Sequence, residues 1–309
     1  LDDLISQCHA VLSRRGEATG LALAGSVVAS WQVLESNQHL SFFQALIAEF
    51  RPDQERLEQA IADYQKNVDD VNVMRLHQAA EAKRQELFRR INAAPNGLQT
   101  LILMREALRR LLREHPEMKP IDQDLVHLFT SWFNKGFLRL ERIDWQTPAA
   151  VLEKLIQYES VHEIQGWDDL RRRLAEDRLC FAYFHPVIPD EPLIFVEVAL
   201  VQGMSDAIAP LLDSPPAPPI AADTAVFYSI NNCQPGLAGV SFGNLLIKQV
   251  VSVLQAEHPR LKRFVTLSPI PGLRLWLETE GREFLHRFES SDDETALKSI
   301  VAQYLTLGH

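Results

Sequence analysis

The sequence predicts an α + α/β protein, an all-helical first half followed by a mixed sheet with a helical crossover. Three observations carry this. Apolar residues recur at helical spacing through the first 160 residues, β-prone runs begin only past Gly166, and residues 225–269 read as strand, glycine-bearing turn, helix and second strand. At 309 residues a single core would be at the upper end of the usual range, so two domains are expected, 1–165 helical and 166–309 α/β.

Within the helical half, residues 21–34 are largely apolar. They are interrupted by Gly25, Ser26, Ser30 and Gln32 and fall short of the roughly 20 residues of a membrane span, so a buried helix is expected. Ser41-Phe42-Phe43-Gln44 has the capping-box pattern, and Pro52 suits a first helical turn. Residues 68–91 carry one long helical periodicity with many charges, and 98–113 repeat Leu or Ile at helical spacing. Thr147-Pro148 reads as an N-cap and N1 pair before a helix over 149–158. Alternating Arg and Glu mark solvated faces, with Arg109, Arg110 and Arg113 expected in water.

Past Gly166 one further helix, 167–176, precedes strands at 180–184 and 193–200. Asp213-Ser214-Pro215-Pro216-Ala217-Pro218-Pro219 forbids helix and central strand, so a surface loop follows. Residues 225–230 are the next strand, and Gln234-Pro235-Gly236-Leu237-Ala238-Gly239 supplies a tight turn. From Ser241 onward Phe242, Leu245, Leu246, Val250 and Leu254 cover a wide helical face, and 264–267 resume as a strand. The unit is therefore βαβ, with Ser268 at a C-terminal strand end on the same edge as the turn. Ligands of α/β sheets gather there, because glycine amides and a helix N-terminus favour an anion such as a pyrophosphate. Taken alone, Gly236, Gly239 and Gly243 suit a bare turn with close packing better than a ligand site, and Ser before Pro commonly starts a turn.

A net charge of −10 argues against nucleic-acid binding, which rests on many Lys and Arg contacts to phosphate. Lys248, Arg260, Lys262 and Arg263 form a local basic group that fits either nucleotide phosphates or a solvated helix end. Cys8, Cys180 and Cys233 are widely spaced, with no metal-ligand pattern, implying a reduced compartment and no structural zinc. Cys233 is expected as a small half-buried residue. His185 and Glu191 receive no role, and Glu197 is expected to face solvent. With no membrane span in view, a soluble, cytoplasmic protein is expected.

Trp132-Phe133-Asn134-Lys135-Gly136-Phe137-Leu138-Arg139-Leu140-Glu141-Arg142, Glu191-Pro192-Leu193-Ile194, Phe227-Tyr228-Ser229-Ile230, Gly236-Leu237-Ala238-Gly239-Val240, Leu246-Ile247-Lys248 and Leu267-Ser268-Pro269-Ile270-Pro271-Gly272 stand in order between about 131 and 277. These blocks resemble the malonyl-CoA decarboxylase family; residues 1–130 resemble it only as a helical region in the right place. The resemblance implies a catalytic domain like the acyl-CoA N-acyltransferase fold and conversion of malonyl-CoA to acetyl-CoA and CO2 through an enolate. Neither a metal nor an organic cofactor is implied. It makes Ser268 one half of a Ser-His catalytic pair. It makes Ala238, Gly239, Val240, Ser241, Phe242, Gly243 and Asn244 contacts to malonyl-CoA, and the helical domain a homo-oligomer interface. Two departures stand out. Ser241 takes a place where some members carry Glu, and the His-Leu-x-Asn-Gly segment that supplies the family's histidine is missing, since neither His286 nor His309 sits in it. A chain that starts at Leu1 and ends at His309 is therefore expected to lack its true start and to be C-terminally shortened. A coenzyme A-dependent N-acyltransferase and a non-catalytic malonyl-CoA-binding oligomerisation protein are the alternatives.

Overall fold

The structure, a computed structural model, describes residues 1–13, 16–134, 136–270, 272–276 and 279. Lys135, Pro271, Leu277, His286 and His309 lie outside the described residues. The chain divides into two compact units, Leu1–Val265 and Thr266–His309.

The first unit opens with eight helices: α1 (Asp2–Ser13), α2 (Glu17–Gln32), α3 (His39–Glu49), α4 (Gln54–Lys66), α5 (Asp70–Ala80), α6 (Lys83–Asn92), α7 (Gly97–Leu111) and α8 (Lys119–Trp132). α2 buries Ala24, Val27, Val28 and Trp31 as its apolar run predicts, and Trp31 packs against the rings of Phe42 and Phe43. Several helix starts differ from expectation. α3 begins at His39, so Ser41 is already inside it; the reciprocal cap is made earlier, by Glu35 and Gln38 around a short 3-10 turn. α4 is capped by Asp53, whose carboxylate accepts from the Arg56 amide at 3.1 Å, leaving Pro52 outside the helix.

The single helix expected over 68–91 is two. Asp69 caps α5 by accepting from the Asn72 amide at 2.7 Å, and Glu81 and Ala82 are extended between α5 and α6. The break has a packing cause: α6 turns Leu87, Phe88 and Ile91 into the core, whereas α5 packs on α4 and leaves Val71, Val73 and Met74 exposed. A straight helix could not satisfy both.

The sheet begins earlier than the composition shift. β1 (Arg139–Ile143) is followed by α9 (Ala149–Tyr158), α10 (Trp167–Arg173), β2 (Arg178–His185), β3 (Ile188–Val201), α11 (Ala209–Asp213), β4 (Thr224–Asn232), α12 (Gly243–Glu257) and β5 (Arg263–Thr266). β1 lies in the stretch read as helical. Its Arg-Leu-Glu-Arg-Ile sequence has no strand signature because it is an edge strand, where charges are favoured. At α9, Pro148 occupies the cap position and Thr147 Oγ1 accepts from the Asp144 amide at 3.0 Å, so the expected cap pair is shifted by one residue.

Strand order is β1-β2-β3-β4-β5, with the first three pairings antiparallel. α12 connects β4 to its neighbour β5, the helical crossover that a parallel pair requires, so the sheet, five-stranded among the described residues, is mixed. β2 is buried at every position, which follows from cover on both faces. Leu179, Phe181 and Tyr183 join the core shared with the helices and with Leu246, Val250 and Leu254 of α12; Tyr183 also donates to Gln249 at 2.5 Å. Cys180, Ala182 and Phe184 face the other way, against Val151, Leu152 and Leu155 of α9. Each large apolar side chain buried here contributes about 1.5–3 kcal/mol.

The same two-sided cover overturns the expectation for Glu197, which is 1% exposed rather than solvent-facing. Cys233 is buried rather than half-buried, and desolvation pushes its thiol well above the usual range. No helix among the described residues is long and apolar enough to cross a membrane. In the second unit, Ser268 is exposed just past β5, Gly272 has φ +75°, and α13 (Leu273–Trp276) follows.

Candidate functional site

Between β4 and α12 the backbone makes a 3-10 turn at Pro235–Leu237, passes Ala238 and Gly239, and enters the helix at Gly243. Gly236 is pressed against α7, where an added Cβ would lie 2.1 Å from the Ile102 carbonyl oxygen. Gly239 is glycine for a different reason. Its φ is +85°, and the space where a side chain would stand is open, so another molecule can come close to this backbone.

The amides of Leu237, Ala238 and Val240 are used inside the turn, donating to Gln234, Pro235 and Leu237 carbonyls at 2.9, 3.2 and 3.0 Å. Among the described residues no side chain caps α12, so the N–H groups of Gly243, Asn244 and Leu245 open the helix without intrahelical carbonyls to meet. Uncapped amides at the positive end of a 15-residue helix favour an anion. Of the expected contact residues, Gly239, Ser241 and Asn244 are exposed, and Ala238 and Gly243 are half-buried. Val240 and Phe242 point into the core, so only their backbone atoms can serve a ligand.

What holds the turn is Arg105 of α7. Its side chain is buried; Nη1 donates to the Gly236 carbonyl at 2.7 Å and to the Ala238 carbonyl at 2.8 Å, while Nε donates to Asp122 of α8 at 2.8 Å. Three hydrogen bonds to a planar fork explain how a cation tolerates this depth. Sequence reasoning passed over Arg105 and considered only its neighbours Arg109, Arg110 and Arg113, which are exposed as expected. A signal was available: Arg105 falls on the apolar stripe of Leu98, Leu101, Ile102 and Leu108, where a charge needs a partner. From the other side, Gln234 donates to Glu191 at 3.4 Å and to the Pro192 carbonyl at 3.3 Å, and Glu191 is ion-paired with Lys154 at 2.6 Å.

Of the basic residues named from sequence, Lys248 stands exposed in the second turn of α12, whereas Arg260, Lys262 and Arg263 are not gathered at this turn. Arg260 and Arg263 follow the opposite end of α12, about 21 Å along a helix of that length. Arg260 donates to the Ile220 carbonyl and Arg263 to Thr224 and Asp223. His185 is likewise a packed residue: Nδ1 accepts from the Val187 amide at 3.2 Å, the ring stands edge-on to Phe133, and burial lowers its pKa.

The model of the malonyl-CoA decarboxylase C-terminal domain matches residues 136–306, and that of the N-terminal domain matches residues 50–133. The chain belongs to the malonyl-CoA decarboxylase family. The crystal structure of malonyl-CoA decarboxylase from Rhodopseudomonas palustris is 51% identical, with TM-score 0.84, covering 94% of this chain and 70% of that one. The enzyme from Agrobacterium vitis is 48% identical, with TM-score 0.87, covering 94% and 72%. Mitochondrial malonyl-CoA decarboxylase of Anser anser anser is 36% identical over 243 residues, 70% of this chain and 48% of the relative. The chain thus spans about half the length of the curated relatives it matches.

Apart from the turn at 236–243, the structure holds a second polar cluster. On the sheet face under α9, Glu159 accepts from the amides of Val161 and His162 through one oxygen and from Ser229 and Asn231 through the other. Arg173 donates to Glu197 at 2.8 Å and to Asp169 at 3.1 Å. These bonds fasten the loop after α9 to β4, and α10 to β3. Burial raises the pKa of Glu197 to about 7, with Arg173 opposing. The folded state therefore holds a proton that an unfolded carboxyl has released above about pH 4.5. Its stabilising effect is complete below that value and is lost as pH rises through 7. Urea midpoints of the wild type should fall relative to Glu197→Gln between about pH 5 and pH 8; parallel midpoints would refute the shifted pKa.

Proposed function

We propose that this chain carries the malonyl-CoA decarboxylase reaction, malonyl-CoA to acetyl-CoA and CO2, on a sheet of the acyl-CoA N-acyltransferase kind. The observation that supports it most is the glycine turn of a decarboxylase-family chain, anchored from behind by a buried arginine and opening into an uncapped helix. In this reading the amides from Ala238 to Asn244 receive the coenzyme A moiety, the pyrophosphate against the start of α12.

The chemistry asks little more than geometry. The carbon–carboxylate bond is held out of the thioester plane, its electron pair passes into the thioester carbonyl as CO2 leaves, and the resulting enolate takes a proton on carbon to give acetyl-CoA. Donors aimed at the enolate oxygen are worth about 3 kcal/mol each, and Ser268 is assigned to this part of the reaction, as one half of the family's Ser-His pair. Assembly of copies through the helices of residues 1–165, and a cytoplasmic setting, complete the proposal.

Incubation with malonyl-CoA and no amine tests it. Acetyl-CoA and CO2 in equal amounts are expected. Acyl transfer only on adding an amine would assign an N-acyltransferase instead, and heat of binding without turnover by the intact enzyme would assign a malonyl-CoA sensor.

A further inference from the structure

We infer that Arg105 is the positioning residue that turns the Gly239 N–H toward the coenzyme A ligand. The inference rests on the reading of the 238–244 segment as the coenzyme A cradle. Carbonyl and N–H of one trans peptide point in opposite directions, and there is no cis bond among the described residues. Arg105 Nη1 holds the Ala238 carbonyl at 2.8 Å on the α7 side, so the N–H of the same peptide, that of Gly239, is directed away from α7. No bond within the turn uses that N–H, and the space beside Gly239 is open.

A second effect acts in the same direction. The guanidinium draws electron density through two peptide carbonyls, Gly236 and Ala238, which makes the opposite N–H groups better donors and places a buried positive charge behind an anion site. Asp122 keeps the fork in register through Nε. Lysine at 105 would retain the charge but not the fork, so it could not hold both carbonyls and Asp122 together.

The experiment uses the full chain, with hydrogen exchange of the turn and calorimetric titration with CoA and with pantetheine, which lacks the pyrophosphate. In the wild type, CoA is expected to slow exchange across 238–245. In Arg105→Lys, the Kd for CoA is expected to rise about tenfold and exchange of the ligand-free turn by a similar factor, with pantetheine affinity and exchange in β2 and β3 unchanged. Asp122→Asn, which leaves Arg105 in place, is expected to shift the same two readouts in the same direction by less, and supplies the test should the arginine variant not fold. Unchanged CoA affinity and turn exchange in a folded variant would overturn the inference, as would parallel losses for CoA and pantetheine, which mark general loosening. If CoA leaves exchange at 238–245 of the wild type untouched, the cradle reading fails, and the role of Arg105 fails with it.

Discussion

Replacing Ser268 by alanine in the intact enzyme is expected to cut CO2 release from malonyl-CoA by about 100-fold or more while leaving the CoA affinity within about twofold. Under the proposed function the hydroxyl works at the reacting end of the substrate, on charge that develops toward the transition state, so its loss should fall on kcat. Ser268 is exposed just past β5 and takes no part in the packed core, so the substitution removes no buried contact and the melting temperature should not move. Steady-state release of labelled CO2, alongside calorimetry with CoA, separates the two effects. Near-normal turnover would remove Ser268 from the chemistry, and a loss of affinity equal to the loss of rate would reassign it to binding.

Replacing Gly236 by valine is expected to destabilise the protein by about 3 kcal/mol or more and to abolish measurable CoA binding. The obstacle is backbone: an added Cβ would stand 2.1 Å from the Ile102 carbonyl oxygen and 2.9 Å from its carbon, neither of which can rotate away as a side chain would. The turn must therefore lift from α7, and lifting it draws the Gly236 and Ala238 carbonyls off Arg105, leaving a buried cation short of partners. Gly239→Ala makes the contrasting case, because the space there is open and only the φ of +85° resists it. Urea unfolding should rank the valine variant well below the alanine variant. Equal midpoints would mean that the α7 contact carries no weight.

The turn, its helix and the strands on either side were legible because their signals are local. Pro235, Gly236 and Gly239 punctuate the chain, and Leu246, Val250 and Leu254 repeat at helical spacing. What escaped is set by partners distant in sequence. β1 is a strand because β2 offers it an edge, and nothing in Arg-Leu-Glu-Arg-Ile announces that. Two helices replace one over 68–91 because α5 and α6 face different neighbours. Glu197 is buried because the sheet is covered on both sides, and the motif that marks the turn says nothing of the arginine beneath it. The apolar stripe of α7 held the clue to Arg105, since a charge within it demands an acceptor, though which acceptor only the fold supplies.

The bond from Arg105 to Gly236 spans 131 residues of chain. Contacts of such separation form only after the intervening polymer has been gathered in, since closing long loops costs entropy before any reward is felt. The loop after β4 is thus fastened only once segments far apart in the sequence have been gathered together, so its shape reports on the assembly of the first unit.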